Sequence, residues 1–149
     1  MLDIQVFDGQ ITENFNIKEF ACHANQEVLI NAAVIDHIQR LQKLRNWYNR
    51  AIHINSGYRT PEYNKKIEGA EKSFHMQGIA TDIALPNEFY NFSKERQEEF
   101  LNNVKNKWLE LCAADGLGGG VGFYKTFIHI DSRPKGYYKT GEFSFWDLR

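Results

Sequence analysis

Two stretches of the chain repeat apolar residues every three or four positions, the spacing of an amphipathic helix. The first follows Asn31, a residue that can cap a helix, and has the apolar positions Val34, Ile35, Ile38, Leu41, Leu44 and Trp47 or Tyr48. His37 lies beside the polar face that includes Arg40, so we predict that His37 is exposed. The second follows Ser93 and has an apolar stripe of Phe100, Leu101, Val104, Trp108, Leu111 and Cys112.

Alternation of apolar residues with other residues predicts strands elsewhere. Residues 51–55 alternate, with His53 on the polar face. Residues 79–85 place Asp82 on a face shared with Ala80 and Ala84. Segments 121–124 and 127–131 are separated by a tight connection, which predicts an antiparallel hairpin.

Composition narrows the class of protein. The 149 residues predict one domain, over 1–149, with a sizeable core. A net charge of −1 gives no reason to expect binding to nucleic acid or a membrane surface, and no apolar run is long enough to span a membrane. Cys22 and Cys112 lack the spacing of a zinc knuckle or redox motif.

His75, Asp82 and His129 have the chemistry of a zinc site. His75 and Asp82 are seven residues apart with Gly78 between them, and His129 lies on the last predicted strand. Two imidazoles and one carboxylate leave an open fourth position on a tetrahedral zinc, as in catalytic rather than structural sites. The alanines beside Asp82 leave room for the metal.

A zinc ion with an open position can activate a water molecule to hydrolyse an amide bond. Such a reaction needs a nearby group that accepts the proton of the water. Asp131 shares a strand face with His129, and we consider two roles for it. It is either the general base or the acceptor of a hydrogen bond from a ligand histidine. Glu142 and Asp115 are weaker candidates for the base, because nothing in the pattern places them.

Three further side chains are candidates for contact with a substrate. Arg59 follows a strand and a turn, and its guanidinium suits a carboxylate bidentately; the alternative is a surface or helix-capping arginine. Ser73 either binds a substrate backbone or caps its loop. Tyr58, in the same turn as Arg59, is the third candidate.

Three motifs together resemble the zinc D-alanyl-D-alanine metallopeptidases. They are SGYRTPEYN at 56–64, SxHxxGxAxD at 73–82 and HxD at 129–131. The resemblance is greatest to the small single-domain peptidases of phage and prophage genomes. It extends from FNIKEF at 15–20 to the aromatic tail.

The resemblance implies an α+β protein of the hedgehog/DD-peptidase fold, with a central antiparallel sheet, packed helices and zinc in a cleft. It implies that His75, Asp82 and His129 bind the zinc. It also implies that Arg59 and Ser73 contact a peptidoglycan stem peptide or crossbridge. Some members place a catalytic Asp or Glu three residues before the last ligand histidine, where this chain has Thr126.

The motifs and the resemblance are compatible with three functions. The preferred one is a monomeric zinc peptidase that cuts a peptide bond in the bacterial cell wall, as a carboxypeptidase or an endopeptidase. The second, which Thr126 favours, is an inactive zinc-stabilised wall-binding or phage structural module. The third is a metal-free structural domain.

The N-terminus bears on where such a protein would act. It lacks the basic start and apolar core of a signal peptide. We therefore expect synthesis in the cytoplasm. The wall would be reached through lysis, through a holin-like pore or by delivery from a virion.

Overall fold

Helices and a five-stranded sheet enclose most of the buried apolar side chains in the computed structural model, which describes residues 8–137 and 142–149. The helices are α1 (Ala32–Tyr48), α2 (Pro61–Lys66) and α3 (Lys94–Ala114). Short 3-10 helices span Ile17–Phe20, Phe74–Gln77 and Asn87–Asn91.

Side-chain caps set the start of each α-helix. Asn31 accepts a hydrogen bond from the backbone N–H of Val34 across 2.9 Å, and Ser93 accepts one from Arg96 across 3.2 Å. Thr60 does the same for α2, where Pro61 occupies the first helical position. These contacts satisfy donors that the first helical turn leaves free. The predicted helix starts are confirmed.

The strands are β1 (Ile54–Ser56), β2 (Ala80–Ala84), β3 (Gly120–Phe123), β4 (Phe127–Asp131) and β5 (Ser144–Asp147), in the order β1-β2-β4-β3-β5. The first four in this order pair antiparallel, which confirms the predicted α+β class and antiparallel sheet. The tail then adds β5 parallel to β3, so the complete sheet is mixed. The prediction of a strand over 51–55 starts too early, because pairing with β2 begins at Ile54.

One face of the sheet packs against α1 and α3. Ile83, Val121, Ile128 and Ile130 belong to the same buried cluster as the apolar stripes of both helices. The alternation along β4 therefore turns Phe127, His129 and Asp131 to the opposite face. That face carries the candidate site.

The prediction that His37 is exposed is wrong. His37 is fully buried, with Nδ1 2.6 Å from Oγ of Ser132 and Nε2 2.8 Å from Oγ1 of Thr81. Arg40, which the helical pattern places on the polar face, is buried beside it and donates to Ser132 across 2.7 Å. These polar partners come from distant segments and allow the helix to bury part of its polar face.

Two other features of the described residues bear on the expectations. Cys22 and Cys112 are both buried free thiols. None of the helices within residues 8–137 and 142–149 is long and apolar enough to cross a bilayer.

Candidate metal centre

One row of paired residues crosses four of the five strands at the candidate site. Asp82 on β2 pairs with His129 on β4, and His129 pairs with Gly122 on β3. Gly122 pairs in turn with Trp146 on β5. Directly opposed residues on neighbouring strands project to the same face. The antiparallel register alone therefore brings the carboxylate of Asp82 next to the imidazole of His129.

His75 reaches the same place from the 3-10 helix at Phe74–Gln77. Oγ of Ser73 accepts a hydrogen bond from the backbone N–H of His75 across 3.2 Å and so caps this helix. Gly78 ends it with a φ of +72°, in the left-handed region that glycine tolerates best. A Cβ there would also lie 2.7 Å from Cγ2 of Val34. Glycine at this position therefore permits both the left-handed turn and the close approach to α1.

The three side chains converge on one point. His75, Asp82 and His129 each offer a ligand atom, and these atoms lie within 4.8 Å of one another. Oδ1 of Asp82 is 3.3 Å from Nε2 of His75 and 3.0 Å from Nδ1 of His129. Two imidazole nitrogens and a carboxylate oxygen form a donor set that suits zinc, so these residues fit the predicted metal.

The outer nitrogen of each imidazole is held by a hydrogen-bond acceptor. Nδ1 of His75 donates to the carbonyl of Gly57 across 2.6 Å, so Nε2 is the nitrogen that faces Asp82. Nε2 of His129 donates to Oδ2 of Asp131 across 2.8 Å, so Nδ1 is the nitrogen that faces the cluster. Such partners fix the tautomer and orientation of metal-binding histidines.

The charges of the cluster depend strongly on one another. Burial favours neutral forms, but hydrogen bonds from His129 and His75 hold the pKa of Asp82 well below its usual range. Burial also opposes charge on His129, yet its hydrogen bonds to Asp131 and Asp82 raise its pKa above the ordinary value. Burial lowers the pKa of His75, against the opposing effect of Asp82. Metal binding would therefore compete with protonation of His129.

Asp131 lies behind His129 and is fully shielded from solvent. Its Oδ1 accepts hydrogen bonds from the backbone N–H of Arg133 (3.1 Å) and from its Nε (2.8 Å). Its Oδ2 accepts from the same guanidinium across 2.7 Å as well as from His129. Burial opposes the charge, but these bonds hold the pKa of Asp131 well below its usual range. The carboxylate is therefore ionised and has both oxygens occupied.

An open cleft of about 410 Å³ lies over the three side chains. Cationic side chains of Arg59, Lys72 and Arg133 contribute to its lining. The aromatic side chains in the lining are Phe74, Tyr124, Phe127 and Trp146. Among the described residues that line it, Asp82 is the only carboxylate. The cleft thus combines the candidate ligands with positive charge and aromatic surface.

Of the three predicted substrate contacts, two lie at the cleft and one does not. Arg59 lines the cleft and makes three long contacts of 3.4 Å, with Ser56, Asn64 and Asp82. Ser73 also lines the cleft, with its hydroxyl used as the cap described above. Tyr58 is not among the lining residues; its backbone N–H bonds to Phe20.

The two weaker carboxylate candidates lie elsewhere. Asp115 pairs with Arg40 across 2.8 Å, behind the sheet. Glu142 is exposed and is not among the lining residues.

The sequence patterns did not predict that β3 and the C-terminal strand β5 help to form the site. Gly120 and Gly122 both lie on the site face of β3, where a Cβ would collide with the Asp131–Arg133 pair or with the indole of Trp146. Glycine inside a strand often marks such a close approach. The two glycines of GVGF therefore indicated that other side chains pack closely against β3. They did not indicate which side chains these are.

Comparison with models of protein families identifies a match for most of the chain. The family model of peptidase M15 matches residues 13–131, which include all three candidate ligands and exclude Trp146. A search of curated proteins finds no match. The family is zinc-dependent, and the buried His-Asp-His group of this chain could bind a metal. Since the match covers most of the sequence, the chain belongs to the peptidase M15 family.

Proposed function

We propose that residues 1–149 form one zinc-dependent peptidase domain that hydrolyses a peptide bond in bacterial peptidoglycan. The bond is either that of the terminal D-Ala or one in the stem peptide or crossbridge. The observation that carries the proposal is the convergence of His75, Asp82 and His129 at an open cleft, inside the region that matches the family.

In this proposal His75, Asp82 and His129 hold the zinc. Bound there, zinc supplies Lewis acidity, which polarises a peptide carbonyl and acidifies water at neutral pH. The protein supplies the orientation. Gly57 and Asp131 hold the outer nitrogens of the two histidines, and the sheet holds Asp82 against His129.

We assign Asp131 to the orientation of His129 rather than to proton transfer in the cleft. Its oxygens already accept four hydrogen bonds, from His129 and Arg133, and its side chain has no exposed surface. A general base has to reach the proton that it removes, directly or through one water. A carboxylate enclosed in this way is better suited to the positioning role.

Arg59 is proposed to bind an oxygen of the substrate, and Ser73 to contribute to the same wall. The contacts of Arg59 are long, so its guanidinium retains hydrogen-bonding capacity towards the cleft. Its fork geometry suits a carboxylate or a peptide carbonyl. The peptides of the cell wall offer both groups.

One observation favours a second function, that of a zinc-stabilised module that binds the wall without cutting it. Among the described residues that line the cleft, no carboxylate is available besides Asp82. Thr126 also stands at the position where some relatives have an acid. Zinc and peptide binding would then persist without hydrolysis.

Digestion of purified peptidoglycan separates the two functions. The zinc-loaded protein is incubated with peptidoglycan, and the soluble products are analysed by mass spectrometry with and without a chelator. The peptidase proposal predicts new peptide termini that disappear with chelator and return with added zinc. Binding to peptidoglycan with no new termini would support the second function, and products that a chelator leaves unchanged would contradict both.

A further inference from the structure

The Tyr124 hydroxyl stands on the aromatic wall of the cleft with a fixed orientation. Its ring stacks on that of Phe127, with centroids 4.4 Å apart and planes at 9°. Its oxygen accepts a hydrogen bond from Nε1 of Trp146 across 2.9 Å. The side chains of Tyr124 and Trp146 are half-buried and line the cleft. Stacking from one side and a hydrogen bond from another hold the phenol in place.

The hydrogen bond from Trp146 determines which further hydrogen bond the Tyr124 hydroxyl can make. The indole N–H is a donor only, so the oxygen of Tyr124 must act as the acceptor in this pair. The phenolic proton remains available for another acceptor. Among the residues that the structure describes, the hydroxyl makes no second hydrogen bond. Tyr124 therefore offers the cleft a neutral donor whose oxygen is already anchored.

Trp146 reaches this position because Gly122 lies between it and His129 in the cross-sheet row. A Cβ on Gly122 would overlap Nε1 and Cε2 of the indole and lie 2.7 Å from its Cζ2. The indole thus lies over the glycine, with its centroid 5.1 Å from that of His129. This places the Trp146–Tyr124 hydrogen bond beside the candidate metal ligands, although Trp146 lies outside the residues that the family model matches.

We infer that the Tyr124 hydroxyl donates a hydrogen bond to a carbonyl oxygen of the peptide substrate, and that Trp146 is the positioning residue for this hydroxyl. The inference rests on the proposed function, because it requires a peptide in this cleft. Arg59 provides a cationic contact and Tyr124 a neutral one, so the two fit different oxygens of the same peptide. The anchored phenol gains its bond without the entropy cost of ordering a free side chain.

Tyr124→Phe tests the donor directly, because it removes the hydroxyl and keeps the ring that stacks on Phe127. With soluble stem peptides prepared from peptidoglycan, we expect kcat/KM to fall about fivefold, the usual worth of one neutral hydrogen bond. The dissociation constant of the same peptides, measured by calorimetry on metal-free protein, should rise about as much. The melting temperature should fall by only a few degrees, because the variant also loses the part-buried hydrogen bond from Trp146. Tyr90→Phe makes the same chemical change at an exposed tyrosine and should have no effect.

Trp146→Phe tests the positioning role, because it keeps an aromatic ring in the wall and removes the N–H. We expect kcat/KM to fall about threefold, since the phenol loses its anchor but keeps its proton. The effect should vanish in the Tyr124→Phe background, as expected for residues that act through one contact. A structural role of Trp146 would instead lower activity equally in both backgrounds, and that result would overturn the inference.

The binding measurement separates failure of the inference from failure of the proposed function. A wild-type protein that binds stem peptides without cutting them would contradict the peptidase, and weaker binding by Tyr124→Phe would still support the donor. If Tyr124→Phe matches the wild type in both binding and kcat/KM, the inference is wrong while the peptidase stands. Absence of any peptide binding by the wild type would overturn the inference as well.

Discussion

Asp131 accepts a hydrogen bond from Nε2 of His129 across 2.8 Å while a guanidinium from Arg133 occupies both of its oxygens. This hydrogen bond explains how the imidazole of His129, on the cleft face of the sheet, keeps its other nitrogen turned towards Asp82. In the proposed metal centre the carboxylate of Asp131 would act on the metal through the imidazole. A change at Asp131 should therefore affect metal binding before it affects contact with a substrate.

Asp131→Asn should weaken zinc binding by about 10- to 100-fold, the usual cost of losing such a carboxylate behind a ligand histidine. The amide keeps the size of the side chain but loses the charge that holds His129 and Arg133. Competition with a chromophoric chelator gives the zinc dissociation constant, with circular dichroism to verify folding. Asp147→Asn removes an exposed carboxylate on β5 and should leave the constant unchanged. An unaltered constant in Asp131→Asn would refute the assigned role.

Arg59→Lys should lower kcat/KM on stem peptides by about tenfold or more while zinc affinity stays near the wild-type value. Lysine keeps the charge and loses the planar fork that can bind two oxygens at once. Steady-state kinetics together with chelator competition separate the two properties. Arg50→Lys, at an exposed arginine that pairs with Glu88, is the matched control. Equal kinetics in the two variants would argue against substrate contact by Arg59.

Gly122→Ala should destabilise the protein by about 1–3 kcal/mol, the usual cost of overpacking. The added methyl group would occupy the space of the Trp146 indole. The melting temperature and kcat/KM should both fall. In a Trp146→Ala background the same change should cost much less, because the colliding ring is absent. A cost of equal size in both backgrounds would mean that Gly122 serves some other purpose.

His37 should make stability depend on pH. Burial, aided by the charge of Arg40, lowers the pKa of His37 to about 3. The unfolded chain has the ordinary value of 6.5 and so binds the proton first as pH falls. The contribution of neutral His37 is therefore complete above pH 6.5 and is lost between pH 6.5 and 3, at up to about 1.4 kcal/mol per pH unit.

Urea unfolding of metal-free protein at several pH values between 7 and 4 measures this contribution. His37→Gln can still hydrogen-bond to Ser132 and Thr81 but does not titrate. We expect the variant to be less stable than the wild type at pH 7 and to show a flatter decline. Parallel curves for the two proteins would show that His37 is not the titrating group.

Local signals in the sequence were sufficient to predict the helices and the two strands that carry Asp82 and His129. Caps such as Asn31 and Ser93 act within one helical turn, so the residues beside them carry the information. The alternation in β2 and β4 is also local, and it placed Asp82 and His129 on faces that the observed register joins.

Other features depend on contacts between distant segments, and local pattern could not supply them. His37 is buried because Thr81 and Ser132 offer it partners, 44 and 95 residues away along the chain. The pairing of β5 with β3 likewise depends on a return of the tail to the sheet. Trp146 lies at the site because β5 pairs with β3. In the sequence, only the glycines of β3 indicated that another side chain would pack closely there.

Zinc stoichiometry is the most decisive measurement, because every role proposed above requires His75, Asp82 and His129 to bind one ion. Metal-free protein is dialysed against a small excess of zinc, then against buffer, and analysed for metal and protein. We expect about one zinc per chain for the wild type and a large loss for His75→Ala, with His23→Ala, at an exposed histidine, retaining the wild-type ratio. Metal-free wild type, or a His75→Ala variant that retains zinc as well as the wild type does, would contradict the account.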